Sequence, residues 1–204
     1  MAERLSAFAD TYPRGDPGAA RGDGPGIIIR ERRPLSMFQV AALSGAGVTV
    51  RATIAAALGM MVAATPNHVA QKDGVTVLWV GPDRWLVVEP ERPGRELDAL
   101  LNEALTGTPG VLIDLSHGRT VVRISGRSSR DLLAKGCGID FHPWTFPVGS
   151  CAQSFLGHVG ALLHAVDAAP SFDLYVARSF ALTVWEWLIE SAAEYGCRIE
   201  NTIS

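Results

Sequence analysis

Asp114, Ser116 and His117 are the residue types of an acyl-transfer triad, placed almost side by side. On an extended chain neighbouring side chains point to opposite faces, so Ser116 and His117 diverge. A nucleophile and its base need hydrogen-bond reach of roughly 2.6–3.2 Å. The expectation is that Asp114 or Ser116 satisfies main-chain groups in the turn at Gly118. Cys137, His142, Cys151 and His158 are metal-ligand types, with four, eight and six residues between them. Paired zinc ligands usually sit about two to four residues apart, which favours buried thiols and loop histidines here. His158 and His164 would share a face of one uninterrupted strand, but about 20 Å apart at ~3.3 Å per residue, too far to share an ion. Gly45-Ala46-Gly47 precedes a helical pattern and could cradle an anion. Val50 stands where a dinucleotide fingerprint has its third glycine, so a tight strand-to-helix turn is expected instead. Glu186, Glu190 and Glu194 recur every four residues and read as a solvated or arginine-paired stripe.

These residues sit on alternating strands and helices. Leu35 to Leu43 reads as a strand, and Ser44-Gly45 turns it into an Ala-rich helix over Thr49 to Leu58. Val75 to Val80 and Trp85 to Glu89 flank Gly81-Pro82-Asp83-Arg84, a β-turn with Pro at its second position. Gly94 to Leu105 is helical; Val111 to Leu115 and Thr120 to Ser125 are strands. Arg127 to Lys135 is a short helix ended by Gly136. Phe155 to Val166 holds one or two strands and Phe172 to Val176 another; Ser179 is expected to cap a last helix that closes at Gly196. Strand, Ser-Gly, helix, strand pair, helix thus occurs twice, at Ser44-Gly45 and Ser125-Gly126. That order is the ferredoxin-like split unit, and the fold class is α+β with antiparallel sheets. In the last helix, Phe180, Val184, Trp187 and Leu188 form one apolar face and Leu182, Trp185 and Ile189 an adjacent one. An arc this wide means burial on two sides: either deep within its own domain, or against a partner met by Trp185.

The 204 residues carry a net charge of −3, with 48 % hydrophobic and 19 % charged types, an ordinary globular balance that excludes a disordered chain. No basic stripe points to nucleic acid and no apolar run approaches the ~20 residues of a membrane span. Met1 to Asp10 lacks the apolar core of a signal peptide, and three cysteines without C-x-x-C pairing suit a reducing cytoplasm. Lys72 and Lys135 are the only lysines; the remaining basic residues are arginines, a type enriched at interfaces. Residues 1–26 are rich in Gly, Pro and charge and read as an extended arm that wraps a partner or its own domain. Residues 27–204 form the α+β domain, with halves 27–116 and 117–204.

Several strings carry a resemblance. Val80-Gly81-Pro82-Asp83-Arg84-Trp85-Leu86-Val87 resembles a turn of the folate-binding aminomethyltransferase superfamily. Asp114-Leu115-Ser116-His117-Gly118-Arg119-Thr120, Leu133-Ala134-Lys135-Gly136-Cys137-Gly138-Ile139-Asp140, Pro147-Val148-Gly149-Ser150-Cys151-Ala152-Gln153 and Phe172-Asp173-Leu174-Tyr175-Val176-Ala177-Arg178-Ser179-Phe180-Ala181 are more particular. Together, over about Ile27 to Gly196, they resemble gamma subunits of heterotetrameric sarcosine oxidase. The resemblance implies an aminomethyltransferase-like fold and an accessory, non-catalytic role. The complex demethylates sarcosine to glycine, forms peroxide and passes the methyl carbon to tetrahydrofolate. FAD and FMN belong chiefly to its beta and alpha subunits, NAD and folate to alpha and zinc to delta, with no cofactor held by gamma. Trp144, Trp185, Arg119 and Arg178 are then the candidate interface residues. Arg119, Arg178 or His117 are also candidates to line a path for the imine intermediate. Lys135-Gly136-Cys137 resembles the motif of folate-binding proteins of iron–sulfur repair, but Gly138-Ile139-Asp140 departs from its continuation, so Cys137 is read as a buried thiol. N-methylglutamate dehydrogenase carries a similar small subunit. The rival reading is an autonomous folate or one-carbon protein, with Asp83, Asp114 or Asp173 pairing a pterin beside Trp85 or Tyr175.

Overall fold

The computed structural model describes residues 5–9, 24–91, 96–200 and 202. Residues 1–4 and 10–23 of the expected arm, and the expected helix start at Gly94, lie outside them. In chain order the elements are β1 (Ile27–Arg32), β2 (Leu35–Ala42), α1 (Gly47–Leu58), β3 (Val69–Lys72), β4 (Val75–Gly81) and β5 (Arg84–Pro90). There follow α2 (Leu97–Leu105), β6 (Gly110–Asp114), β7 (Arg119–Ser125) and α3 (Ser129–Ala134). The chain continues with β8 (Cys151–Leu156), β9 (Val159–Asp167), β10 (Ser171–Ala177), α4 (Ala181–Ala192) and β11 (Cys197–Ile199). Two compact units result. One is Pro34–His117; the other joins Gly118–Ile203 to Met1–Arg33, so β1 goes with the C-terminal unit.

The Pro34–His117 unit holds a sheet in the order β3-β4-β5-β2-β6, every pairing antiparallel. Within it β4-β5-β2-β6, with α1 after β2 and α2 after β5, is the split βαβ arrangement, and β3 is an added edge. The turn between β4 and β5 uses Pro82 to preset φ and Asp83 in the left-handed region at φ 56°. Leu97, Leu101 and Leu105 fall four residues apart on α2 and pack with Val50 and Ile54 of α1 over Val40, Val77 and Val87.

The second unit repeats the plan with one insertion. Its sheet runs β11-β1-β7-β10-β9-β8. β1 enters between β7 and β11, antiparallel to the first and parallel to the second. Where one or two strands are expected over Phe155 to Val166 there are two, with Gly157 and His158 in the turn between them, and the first starts earlier, at Cys151. Ser179 does not cap the last helix: it lies in a 3-10 turn, Arg178–Phe180, and makes no side-chain cap bond. The helix proper ends at Ala192 and tightens into a second 3-10 turn before Gly196, whose φ is 70°. Alternation along β10 sends Phe172, Leu174 and Val176 into the helix-covered core with Val122, Ile124, Leu132 and Leu188, and Asp173 and Tyr175 to the opposite face. Gly45 and Gly126, the second residues of the two Ser-Gly turns, both have positive φ, 77° and 111°. The internal repeat is therefore one of backbone conformation as well as order.

Candidate functional site

The densest polar constellation among the described residues lies on that opposite face of the second unit's sheet. Register places Arg30, Arg123, Asp173, His164 and Cys151 in one row across β1, β7, β10, β9 and β8. Asp173 is fully buried. Its carboxylate accepts Arg123 Nε at 2.7 Å, Arg123 Nη2 at 2.8 Å and Arg32 Nη1 at 2.7 Å. Burial alone would raise this carboxyl, but the bonds from Arg123 and the charge of Arg32 hold it below the ordinary carboxylate range. His164 is also buried, and neither ring nitrogen has a partner among the described residues. Desolvation outweighs the attraction of Asp173 and lowers its pKa from 6.5 to about 4, so it is neutral at pH 7. The Tyr175 hydroxyl, buried and unpartnered, is pushed upward by burial and then by Asp173.

Cysteine, histidine and aspartate in a row invite a reading as a thiol nucleophile with its base. The geometry does something else. Asp173 is committed to two arginines and does not orient the imidazole. Cys151 has no solvent exposure, so no substrate reaches its sulfur. The row is an ion cluster inside a sheet.

The other candidates are dispersed. Asp114 Oδ1 accepts the Ser116 N–H at 2.8 Å. Ser116 Oγ accepts the Met37 N–H at 2.9 Å, which ties β2 to the chain leaving β6; His117 is exposed. Cys137, His142, Cys151 and His158 do not converge, and no three His, Cys, Asp or Glu side chains among the described residues form a metal-binding group. Glu186 and Glu190 are exposed, and Glu194 pairs with Lys135. Lys135-Gly136-Cys137 serves packing: a Cβ at Gly136 would stand 2.4 Å from Trp187 Cζ2. The glycines before α1 do not leave an open anion cradle. The Asp83 side chain lies against Gly47, where a Cβ would come within 1.8 Å of Oδ1. That supplies the negative charge a helix N-terminus favours. Asp83, Trp79, Trp85, Arg51 and Pro82 do share one open cleft of about 300 Å³ in the Pro34–His117 unit. Trp85 is only 3 % exposed there, which leaves little ring face for stacking. Asp114 and Asp173 lie elsewhere.

The interface candidates separate by exposure. Trp185 does not face outward: it is 3 % exposed and stacks on Phe8, with ring centroids 4.7 Å apart. Leu5 to Ala9 thus lies on its own unit, held also by Ser6 Oγ donating to Glu31 at 2.6 Å and by Arg178 Nη2 donating to Leu5 O at 2.8 Å. Trp144 is 90 % exposed. Its loop is firmly built: Asp140 accepts from His142 N and Thr145 Oγ1, both at 2.9 Å, and Phe141 and Phe146 pack edge-on beneath it. The first of these bonds, then the second, lowers the Asp140 carboxyl pKa. Arg119 is half-buried at the start of β7 and Arg178 is exposed.

Residues 44–194 match the family described as "Sarcosine oxidase, gamma subunit family". The chain belongs to this family. The sarcosine oxidase gamma subunits of Corynebacterium sp. (strain P-1) and an Arthrobacter species are 33 % and 34 % identical to it over 178 residues, 86 % of this chain and 85 % of each relative. A chain of the heterotetrameric sarcosine oxidase from Corynebacterium sp. U-96, solved with pyrrole 2-carboxylate, superposes with a TM-score of 0.83 at 29 % identity, covering 94 % of this chain and 96 % of that one. Aminomethyltransferase T of the Bartonella henselae glycine cleavage system shares the fold, with a TM-score of 0.61 at 11 % identity over 87 % of this chain and 48 % of that one. For a gamma subunit, the buried Arg32–Asp173–Arg123 cluster is the feature sequence reasoning passes over. Its signal is there: single charges inside apolar strands, Asp173 in Phe172-Asp173-Leu174 and Arg123 in Val122-Arg123-Ile124.

Proposed function

We propose that this chain is the accessory gamma subunit of a heterotetrameric sarcosine oxidase and has no active site of its own. The observation that carries this reading is the end-to-end match to one chain of that heterotetramer, 94 % of this chain against 96 % of the other. The geometry agrees with it. The polar constellation is closed by its own arginines, while the rigid 140–146 loop presents Trp144 to solvent. An exposed, preorganised Trp is the kind of side chain that anchors an interface. In this reading the partners are the alpha, beta and delta subunits. FAD, FMN, NAD and zinc reside in them, together with the site where tetrahydrofolate receives the carbon lost as sarcosine becomes glycine and peroxide forms. Among the described residues the Cys and His side chains do not converge on a metal position, and Asp83 occupies the first turn of α1 where a phosphate would lie. No helix among the described residues is long and apolar enough to cross a membrane, and we place the complex in the cytoplasm.

Tagged at the C-terminus and expressed in its host, the chain is expected to bring down three larger or smaller companions with bound flavin and sarcosine-dependent peroxide formation. A monodisperse free chain with no companions overturns the reading. Turnover of N-methylglutamate in place of sarcosine would assign the same subunit to the related dehydrogenase. The cleft holding Asp83 and Trp85 is where an autonomous folate-binding reading would have to sit. Calorimetry of the free chain with tetrahydrofolate decides it, and binding tighter than ~100 μM would favour that reading.

A further inference from the structure

The open cleft of about 300 Å³ in the Pro34–His117 unit carries a carboxylate and a guanidinium on its walls. Asp83 comes from the turn between β4 and β5, Arg51 from α1. Gly47 and Arg51 are four residues apart and share one side of α1, and the Asp83 side chain lies against Gly47. The two charges therefore face one space, yet neither makes an ion pair with any described residue. Each is tied to its own wall. Arg51 Nη1 donates to Val62 O at 3.2 Å, which leaves Nε and Nη2 without an acceptor among the described residues. Asp83 stands at φ 56°, and its carboxylate rests at the positive end of α1, where Gly47 has no Cβ to exclude it. Asp83 is exposed and Arg51 half-buried, so a ligand reaches both. The half-buried Trp79, Pro66 and Val48, 74 % exposed, supply apolar surface around them. A fixed anion and a fixed cation that do not meet are complementary to a molecule carrying both an ammonium and a carboxylate. The volume is at the lower end for small-molecule sites, which favours a ligand the size of an amino acid.

We propose that this cleft binds a small zwitterionic amino acid, its carboxylate on Arg51 and its ammonium on Asp83. The site is one of binding and not of turnover, and it does not depend on assembly with companion subunits.

The test titrates the full chain with glycine, the smallest such zwitterion, and follows the NMR shifts of α1 and of the turn between β4 and β5. Saturable binding with a dissociation constant of about 1 mM or below is expected. Acetate and methylamine, each carrying one of the two charges, should bind at least about tenfold more weakly, a readout that needs no variant. Asp83→Asn removes the charge and keeps a residue type that tolerates positive φ. It and Arg51→Gln should each weaken glycine at least about tenfold. If the chain is obtained only with its companions, equilibrium dialysis of the complex should count one glycine site fewer with Asp83→Asn, at unchanged peroxide formation. Acetate binding as tightly as glycine would make the cleft a plain anion site and overturn the proposal. Displacement of glycine by tetrahydrofolate would give the cleft to a folate and overturn it too. So would the absence of saturable glycine binding, or binding that Asp83→Asn leaves intact. None of these failures touches the gamma-subunit reading, which is tested by what the chain assembles with.

Discussion

Phe8 stacks on Trp185 with ring centroids 4.7 Å apart and planes tilted by 34°, both rings inside the core of the C-terminal unit. A segment from the start of the chain therefore completes a core whose other members come from β1 and from the second half of the chain. Phe8 has no exposed surface, whereas Leu5 is 67 % exposed. Phe8→Ala is expected to lower the unfolding free energy of the full chain by about 3–5 kcal/mol, the usual cost of deleting a buried aromatic ring. Leu5→Ala should change it by no more than about 0.5 kcal/mol. Denaturant unfolding of the two variants checks both values, and an unaffected Phe8→Ala would show the contact to be idle.

That pair also marks a limit of the sequence. The apolar arc of the last helix is readable from the spacing of Val184, Trp185 and Leu188, and so is burial on two sides. What fills the second side is not readable, because the partner ring stands alone in a polar N-terminal stretch. The two split βαβ units are legible for a better reason: Ser44-Gly45 and Ser125-Gly126 impose the same positive-φ turn after the same kind of strand. β3 and β11 escape, since strands of four and three residues have too few positions to show a period. The ion cluster is half legible. Alternation in Phe172-Asp173-Leu174-Tyr175 puts Asp173 and Tyr175 on one face, but only sheet order brings Arg32 and Arg123 to Asp173 from 141 and 50 residues away.

Asp173 shares its single negative charge between two arginines, so the three residues are unequal. Asp173→Ala leaves Arg32 and Arg123 partly buried without a counter-charge and is expected to cost about 3–5 kcal/mol. Arg123→Met should cost less, because Arg32 still neutralises the carboxylate and the new side chain packs in similar volume. Comparing the unfolding midpoints of the two variants tests this order. Equal losses would mean that the cluster acts through packing alone.

His164 gives the chain an acid-sensitive range. Its pKa falls from 6.5 unfolded to about 4 folded, chiefly through desolvation. The unfolded chain therefore binds a proton that the folded chain refuses. The associated stability is fully present above pH 6.5 and is lost as pH falls from 6.5 towards 4, on the order of 3 kcal/mol in all. The Asp173 carboxyl, held low, adds its own loss below that range. His164→Leu should flatten the slope between pH 6.5 and 4 and leave the steeper part beneath it. Urea titrations at half-unit pH steps would expose an unchanged slope, which this account does not allow.

Gly126 is fixed by two independent requirements. Its φ is 111°, and a Cβ there would stand 2.4 Å from the carbonyl oxygen of Gly26, where β1 enters the sheet. Gly126→Ala is expected to cost about 2 kcal/mol or more, since backbone strain and a main-chain clash add. Gly138 has open space around its Cβ position and no positive φ, so Gly138→Ala should be neutral or slightly stabilising. Thermal midpoints of the two alanine variants measure the contrast.

Trp144 is the opposite case, a large apolar ring that contributes almost nothing to the chain that carries it. It is 90 % exposed, while the Asp140 bonds below and the Phe141–Phe146 contact fix the loop from which it projects. Holding a loop in one conformation removes the ordering cost that a partner would otherwise meet on docking. Trp144→Ser should leave the unfolding free energy of the free chain within about 0.5 kcal/mol of wild type. In the complex the same change should weaken retention of the chain by at least about 2 kcal/mol, as for a buried anchor ring. Asp140→Ala keeps the ring but frees the loop, and should weaken retention less. Size-exclusion chromatography of the two variants mixed with the companion subunits separates these effects. If Trp144→Ser assembles as wild type does, the ring lies outside the interface and the loop's rigidity serves only its own unit.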